Sequence, residues 1–203
     1  MTLTAQSLLA ELDLTLGQAT PSWRSSVLRR IVELFLSGAP SYSRDQIALF
    51  DAVLVRLCKN ADRTVLTETS EQLAALDNAP AGVLGLLARH PDLVVSGPAL
   101  QHAKTPEIDV LAAADKDRVG PAVLETIAAR AELSEAVTDV LLKRGGPAIR
   151  NAVVNHPNAR FSDTGFARLL VGIKGDKALA RTLSARPDLP KELQLWLTAE
   201  LNE

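Results

Sequence analysis

Three histidines, one cysteine and several closely spaced carboxylates are the side chains of this 203-residue chain whose types could support catalysis or metal binding. Metal sites carried on helices need ligands three or four residues apart, or Cys/His pairs, and His90, His102 and His156 offer neither. His90-Pro91 and His156-Pro157 stand in the kind of place held by Arg186-Pro187, near a helix end where a cation meets the negative pole of the helix dipole. Helix-terminal stabilisation is the reading of these residues, with a shared metal or catalytic site as the alternative. Asp115 and Asp117 fall in the turn Asp115-Lys116-Asp117-Arg118, flanked by opposite charges, which reads as a solvated loop and lacks the glycine and distal glutamate of a calcium loop. No GxxxxGK[ST] occurs, and Ser22, Ser25 and Ser26 sit in no nucleophile elbow. Cys58, beside Leu57 in an apolar helical pattern, reads as a buried structural thiol. The sequence therefore names no catalytic, cofactor-binding or metal-ligating residue, and the expectation is a protein that is not an enzyme.

The elements that carry these residues read as helices throughout. Thr105, Leu133, Phe161 and Leu189 recur every 28 residues, each followed by a helix-starting residue, Pro106, Ser134, Ser162 and Pro190. Two helices of about ten residues and two turns fill such a period, at about 1.5 Å per residue. Gly97-Pro98-Ala99, Gly120-Pro121-Ala122 and Gly146-Pro147-Ala148 are predicted to open the first helix of successive hairpins, with Gly175-Asp176-Lys177-Ala178 in the corresponding place. Aromatic residues make up only 3% of the chain, so Leu, Ala and Val must supply the core, which suits short helices in close layers. Earlier in the chain, Leu8, Leu9, Leu12 and Leu16 share a face, and Thr20-Pro21 predicts the start of a helix bearing Leu28, Ile31, Val32 and Phe35 up to Gly38. Ser43 and Gln46 predict a capping box ahead of Ile47, Phe50, Leu54 and Leu57, and a further helix is expected over 67–76. Phe161, Ser162 and Phe166 have the spacing of a hydrophobic staple. The fold class is all-α: an N-terminal helical bundle over 1–77, continuing over 78–203 into an α-solenoid of short helical hairpins.

Charge is unevenly spread. Met1 to Leu142 holds 12 basic and 18 acidic residues, whereas Lys143 to Lys191 holds 10 basic and 3 acidic. Lys143, Arg144, Arg150, Arg160, Arg168, Lys174, Lys177, Arg181, Arg186 and Lys191 could line one surface that attracts an acidic protein or a nucleic acid, or they could be scattered over solvent-facing positions. Stacking aromatics for nucleic acid are nearly absent there. The last helix carries apolar groups all round, and Leu193, Trp196 and Leu197 are expected to meet a partner, a second copy or further sequence. The N-terminus shows no basic region ahead of an apolar run, and no stretch is long enough to span a bilayer, which reads as a cytoplasmic protein.

Several segments resemble a family of uncharacterised bacterial proteins, domain of unknown function 2336. They are Asn78-Ala79-Pro80, Leu87 to Leu93, Ala131 to Leu141, Ala159 to Ser162 with Gly165-Phe166-Ala167, and Arg186 to Pro190; Ser7 to Asp13 and Ala48 to Asp51 are similar too. The resemblance implies a helical protein akin to HEAT-like and leucine-rich-variant repeats, and it carries no activity, cofactor or site residues with it. The functional expectation is a non-enzymatic protein-binding scaffold without a cofactor, its partner another protein or a second copy of the chain; binding of nucleic acid or another polyanion is the alternative.

Overall fold

The computed structural model describes Leu14 and residues 20–115, 120–173 and 176–202. The leucine stripe of residues 8–16 and the charged turn over 116–119 lie outside the described residues. Twelve α-helices and no named strand occur among the described residues. None of those helices is long and apolar enough to cross a membrane. The chain divides into two compact units, Met1–Ala113 and Ala114–Glu203. The turn at Asp77-Asn78-Ala79-Pro80 lies inside the first.

In the first unit, α1 (Pro21–Gly38) begins where Thr20 Oγ1 accepts the Trp23 N–H at 3.3 Å, with Pro21 in the first turn. It buries Leu28, Val32 and Phe35. A 3-10 turn, Ala39–Ser41, leads to α2 (Arg44–Cys58), whose capping box is formed by Ser43 and Gln46. Phe35, Tyr42 and Phe50 gather at that corner with ring centroids 5.0–5.8 Å apart. Next come α3 (Arg63–Ala74), which starts four residues before the expected helix, α4 (Ala81–Ala88), α5 (Leu93–Gln101) and α6 (Glu107–Ala114). Helices α1, α3 and α5 lie side by side as one layer, and α2 packs against α4 in another.

One contact within the α2–α4 layer sets the start of α4. Pro80 has no side-chain oxygen with which to cap α4, so the carboxylate of Asp51 on α2 accepts the Gly82 and Val83 N–H groups at 3.0 and 2.7 Å. Asp51→Ala should therefore cost about 1–2 kcal/mol in chemical denaturation, and Asp51→Asn less, because an amide oxygen still accepts. Cys58, 4% exposed, closes the core at the end of α2. Burial pushes its thiol up from 9.0 to about 12. Native protein at pH 8 should then resist alkylation until it is unfolded, and its stability should fall above pH 9, where only the unfolded thiol ionises.

Gly97-Pro98 does not open a helix, contrary to expectation. Asp92 caps α5 five residues before Gly97, its Oδ1 accepting the Val94 N–H at 2.9 Å, and Pro98 falls inside the helix. The missing N–H would have served Val94, a 52% exposed residue whose surroundings let water take that place.

In the second unit, α7 (Pro121–Ala128), α8 (Glu135–Arg144), α9 (Pro147–Asn155), α10 (Asp163–Ile173), α11 (Lys177–Ser184) and α12 (Lys191–Asn202) follow in order. Gly120-Pro121 and Gly146-Pro147 open α7 and α9, and Asp176 caps α11 through the Leu179 N–H at 3.0 Å. Here α7, α9 and α11 form one layer and α8 packs beside α10. Phe161 and Phe166 stack with centroids 5.1 Å apart across the start of α10, as the staple spacing predicts. On α12, Leu197 is fully buried while Leu195 is 75% and Trp196 39% exposed. Leu197 is thus a core residue, one turn past half-buried Leu193, and is corrected from the expected contact surface, where Leu195 stands in its stead.

Candidate functional site

The histidines hold turns together. At the end of α5, the His102 Nε2–H donates to the Leu76 carbonyl at 2.9 Å, while Nδ1 accepts the Lys104 N–H at 3.0 Å. At the end of α9, His156 does the same, donating to the Arg130 carbonyl at 2.7 Å and accepting the Asn158 N–H at 3.2 Å. A carbonyl only accepts and an amide N–H only donates, so both rings are assigned as the Nε2–H tautomer. His90, at the end of α4, uses Nδ1 alone, for the Asp92 N–H at 3.1 Å. The structural counterpart of His156 is therefore His102, a pairing the His-Pro dipeptides did not suggest. No group of three His, Cys, Asp or Glu side chains gathers as a metal site among the described residues.

Arg186 takes the corresponding place after α11 and is not a surface cation. Its side chain is 10% exposed and stands 4.5 Å over the Phe161 ring. It donates to the carbonyls of Val154, His156 and Ala159 and, bidentately, to Asp188 at 2.8–3.0 Å. All five guanidinium N–H groups are thereby spent on the fold. Arg144, too, is engaged, with Asp115 at 2.6 Å. Lys174 lies outside the described residues.

Arg160 belongs to the edge where the turns after α7, α9 and α11 lie next to one another. Leu133 N–H donates to the Asn158 carbonyl at 3.3 Å and Arg160 N–H to the Leu133 carbonyl at 2.9 Å, a parallel bridge that buries Leu133 and Ala159. Glu132, Ser134, Asn158 and Arg160 alternate with them and face a groove of about 410 Å3, together with Asp188. Charge there is mixed.

The other edge is different. Lys143 lies in the last turn of α8, Arg150 in the first turn of α9, Arg168 midway along α10 and Lys177 at the start of α11, while Arg181 lies one turn further on, in the last turn of α11. The Arg150 guanidinium rests on the last turn of α10, where a Cβ added to Gly172 would stand 2.8 Å from Arg150 Cζ. Lys143, Arg168, Lys177 and Arg181 are exposed and Arg150 is half-buried. None of the five has a carboxylate within ion-pair distance among the described residues. The nearby acids are already committed, Asp115 to Arg144 and Asp176 to the cap of α11. Eight of the ten late cations thus separate into unpaired cations on α8 to α11, one cation at the mixed edge and two ties within the fold, a division that their count alone did not reveal.

No curated protein and no solved structure matches the chain. The resemblance read in residues 7–93 lies outside the family match that is found. The model of a bacterial family described as an uncharacterised protein conserved in bacteria, DUF2336, matches residues 108–203, from Ile108 in α6 to the last residue, and that part of the chain is similar to the family.

Proposed function

We propose that the chain is a non-enzymatic cytoplasmic scaffold built as an α-solenoid of helical hairpins, and that the basic edge of its second unit receives an acidic segment of a partner protein. Support for the stacked-hairpin reading comes from recurrence within each unit. His102 and His156 each reach back 26 residues to the preceding turn of their own layer, and the four positions of the 28-residue register, Thr105, Leu133, Phe161 and Leu189, are all buried. Asp51 reaches from α2 to the start of α4, and Asp139 reaches from α8 to the start of α10, where Ser162 Oγ donates to it at 2.8 Å.

The single observation that carries the binding reading is that Lys143, Arg150, Arg168, Lys177 and Arg181, on consecutive helices of the second unit, have no carboxylate partner among the described residues. Like charges held together repel, and an acidic ligand relieves that repulsion while its approach is steered by the field. The test is a titration of a glutamate-rich decapeptide onto the chain at rising ionic strength. Binding at low salt that weakens steeply toward physiological salt is expected. Undetectable binding at low salt would remove the reading.

The same five cations favour a second reading, contact with a nucleic-acid backbone. It lacks a stacking platform, because Phe161 and Phe166 are buried and Trp196 lies on α12. Retardation of a single-stranded oligonucleotide at salt concentrations where the peptide no longer binds would put nucleic acid first.

A further inference from the structure

We infer that Arg150 and Arg168, seated on either side of Gly172, form a phosphoryl-binding pair, so that the segment received by the basic edge carries a phosphorylated side chain. This rests on the acidic-partner reading above and specifies its ligand.

Arg150 is the informative residue. Its guanidinium is half-buried against the last turn of α10, yet it has no carboxylate and no carbonyl acceptor among the described residues. A guanidinium partly withdrawn from water with its donors unused is unfavourable by itself. Arg186 shows the alternative in the same unit, with every donor satisfied by the fold. The seat of Arg150 depends on glycine: any Cβ at position 172 would collide with it, since Cζ would be only 2.8 Å away. The guanidinium thus lies against α10 at Gly172 while its hydrogen-bonding groups stay available among the described residues.

Arg168 supplies the second half. It precedes Gly172 by one helical turn on the same face of α10, about 5–6 Å away between Cβ positions, and it is exposed and unpaired. Two arginines whose positions meet at Gly172, with no carboxylate partner among the described residues, call for more than one negative charge. A glutamate offers one charge and two acceptor oxygens, and a phosphodiester also offers one charge. A phosphomonoester carries about −1.5 to −2 at neutral pH and presents three acceptor oxygens, which matches two forked donors. Lys143, in the last turn of α8, and Lys177, at the start of α11, add compact charges on the neighbouring helices that suit acidic residues on either side of such a group.

The experiment compares a glutamate-rich decapeptide containing a central serine with the same peptide containing phosphoserine, titrated calorimetrically onto the full chain. The phosphopeptide is expected to bind about tenfold tighter. Arg150→Met and Arg168→Met should each abolish that preference, weakening the phosphopeptide about tenfold more than the serine peptide. Gly172→Val should act like Arg150→Met by unseating the guanidinium; Arg150→Lys, which keeps charge without the fork, should restore less than half of the preference, and it covers the case in which the valine variant does not fold. Equal affinities for the two peptides would overturn the phosphoryl pair and leave the acidic-partner reading standing. Binding of neither peptide, with inorganic phosphate still shifting the arginine side-chain NMR signals of residues 150 and 168, would overturn the acidic-partner reading and keep the pair as a phosphate site. No response to any of the three probes would overturn both. A single-stranded oligonucleotide that displaces the phosphopeptide at equal concentration would overturn the choice of a monoester.

Discussion

Arg186→Ala is expected to destabilise the second unit by about 3–5 kcal/mol, the largest single-residue effect outside its apolar core. The side chain is 10% exposed and all five donors are used, three of them on carbonyls of the turn after α9. Truncation leaves the carbonyls of Val154, His156 and Ala159 without that donor, frees Asp188, and removes the cation from the face of Phe161. Phe161 also staples the start of α10 against Phe166, so the loss should spread into that helix. Arg186→Lys should recover little, because an ammonium cannot grip Asp188 and three carbonyls in one plane. Hydrogen exchange of amides in α9 to α12, followed together with denaturant melts, measures the effect. A change below about 1 kcal/mol would mean that water replaces the guanidinium at no cost and that Arg186 is a surface residue after all.

The second large effect concerns the two histidine ties. His102→Ala and His156→Ala should each cost about 2–3 kcal/mol, because each removes a donor from a carbonyl 26 residues back and an acceptor from the N–H two residues on. Each loss should be confined to its own unit. Faster exchange at the Lys104 amide in one variant and at the Asn158 amide in the other is the specific signature. If only one of the two variants showed it, the ties would not be equivalent and the repeat reading would lose a main support.

What was legible in the chain was mostly local. Thr20, Ser43 and Ser134 cap helices where their spacing to the first apolar residues predicts, since a cap depends on only three or four neighbouring residues. Gly97-Pro98 misled because an identical dipeptide opens helices at 120 and 146, while here Asp92 supplied a cap earlier and the helix ran through the proline. Leu197 was misplaced for a related reason. Apolar residues surround α12, and only the packing of α12 on α11 decides that Leu197 faces inward and Leu195 outward. The charge excess after Lys143 was readable as a count. Its division was not, because Arg186 becomes an internal tie and Arg160 joins Glu132 at the mixed edge only once the turns are laid side by side. Gly172 carried no local sign of its role, since the arginine that needs it is 22 residues away.

The most direct test of the central claim compares charge reversal at the two edges of the second unit. The triple variant Lys143→Glu, Lys177→Glu, Arg181→Glu is set against Arg160→Glu, with binding of the glutamate-rich decapeptide measured by fluorescence anisotropy at low salt. All four positions are exposed and without carboxylate partners among the described residues, so folding should be unaffected in both variants. A loss of about a hundredfold or more in the triple variant, with Arg160→Glu within about threefold of the parent chain, is the predicted result. Equal losses at both edges, or none at either, would contradict a binding surface located on the basic edge.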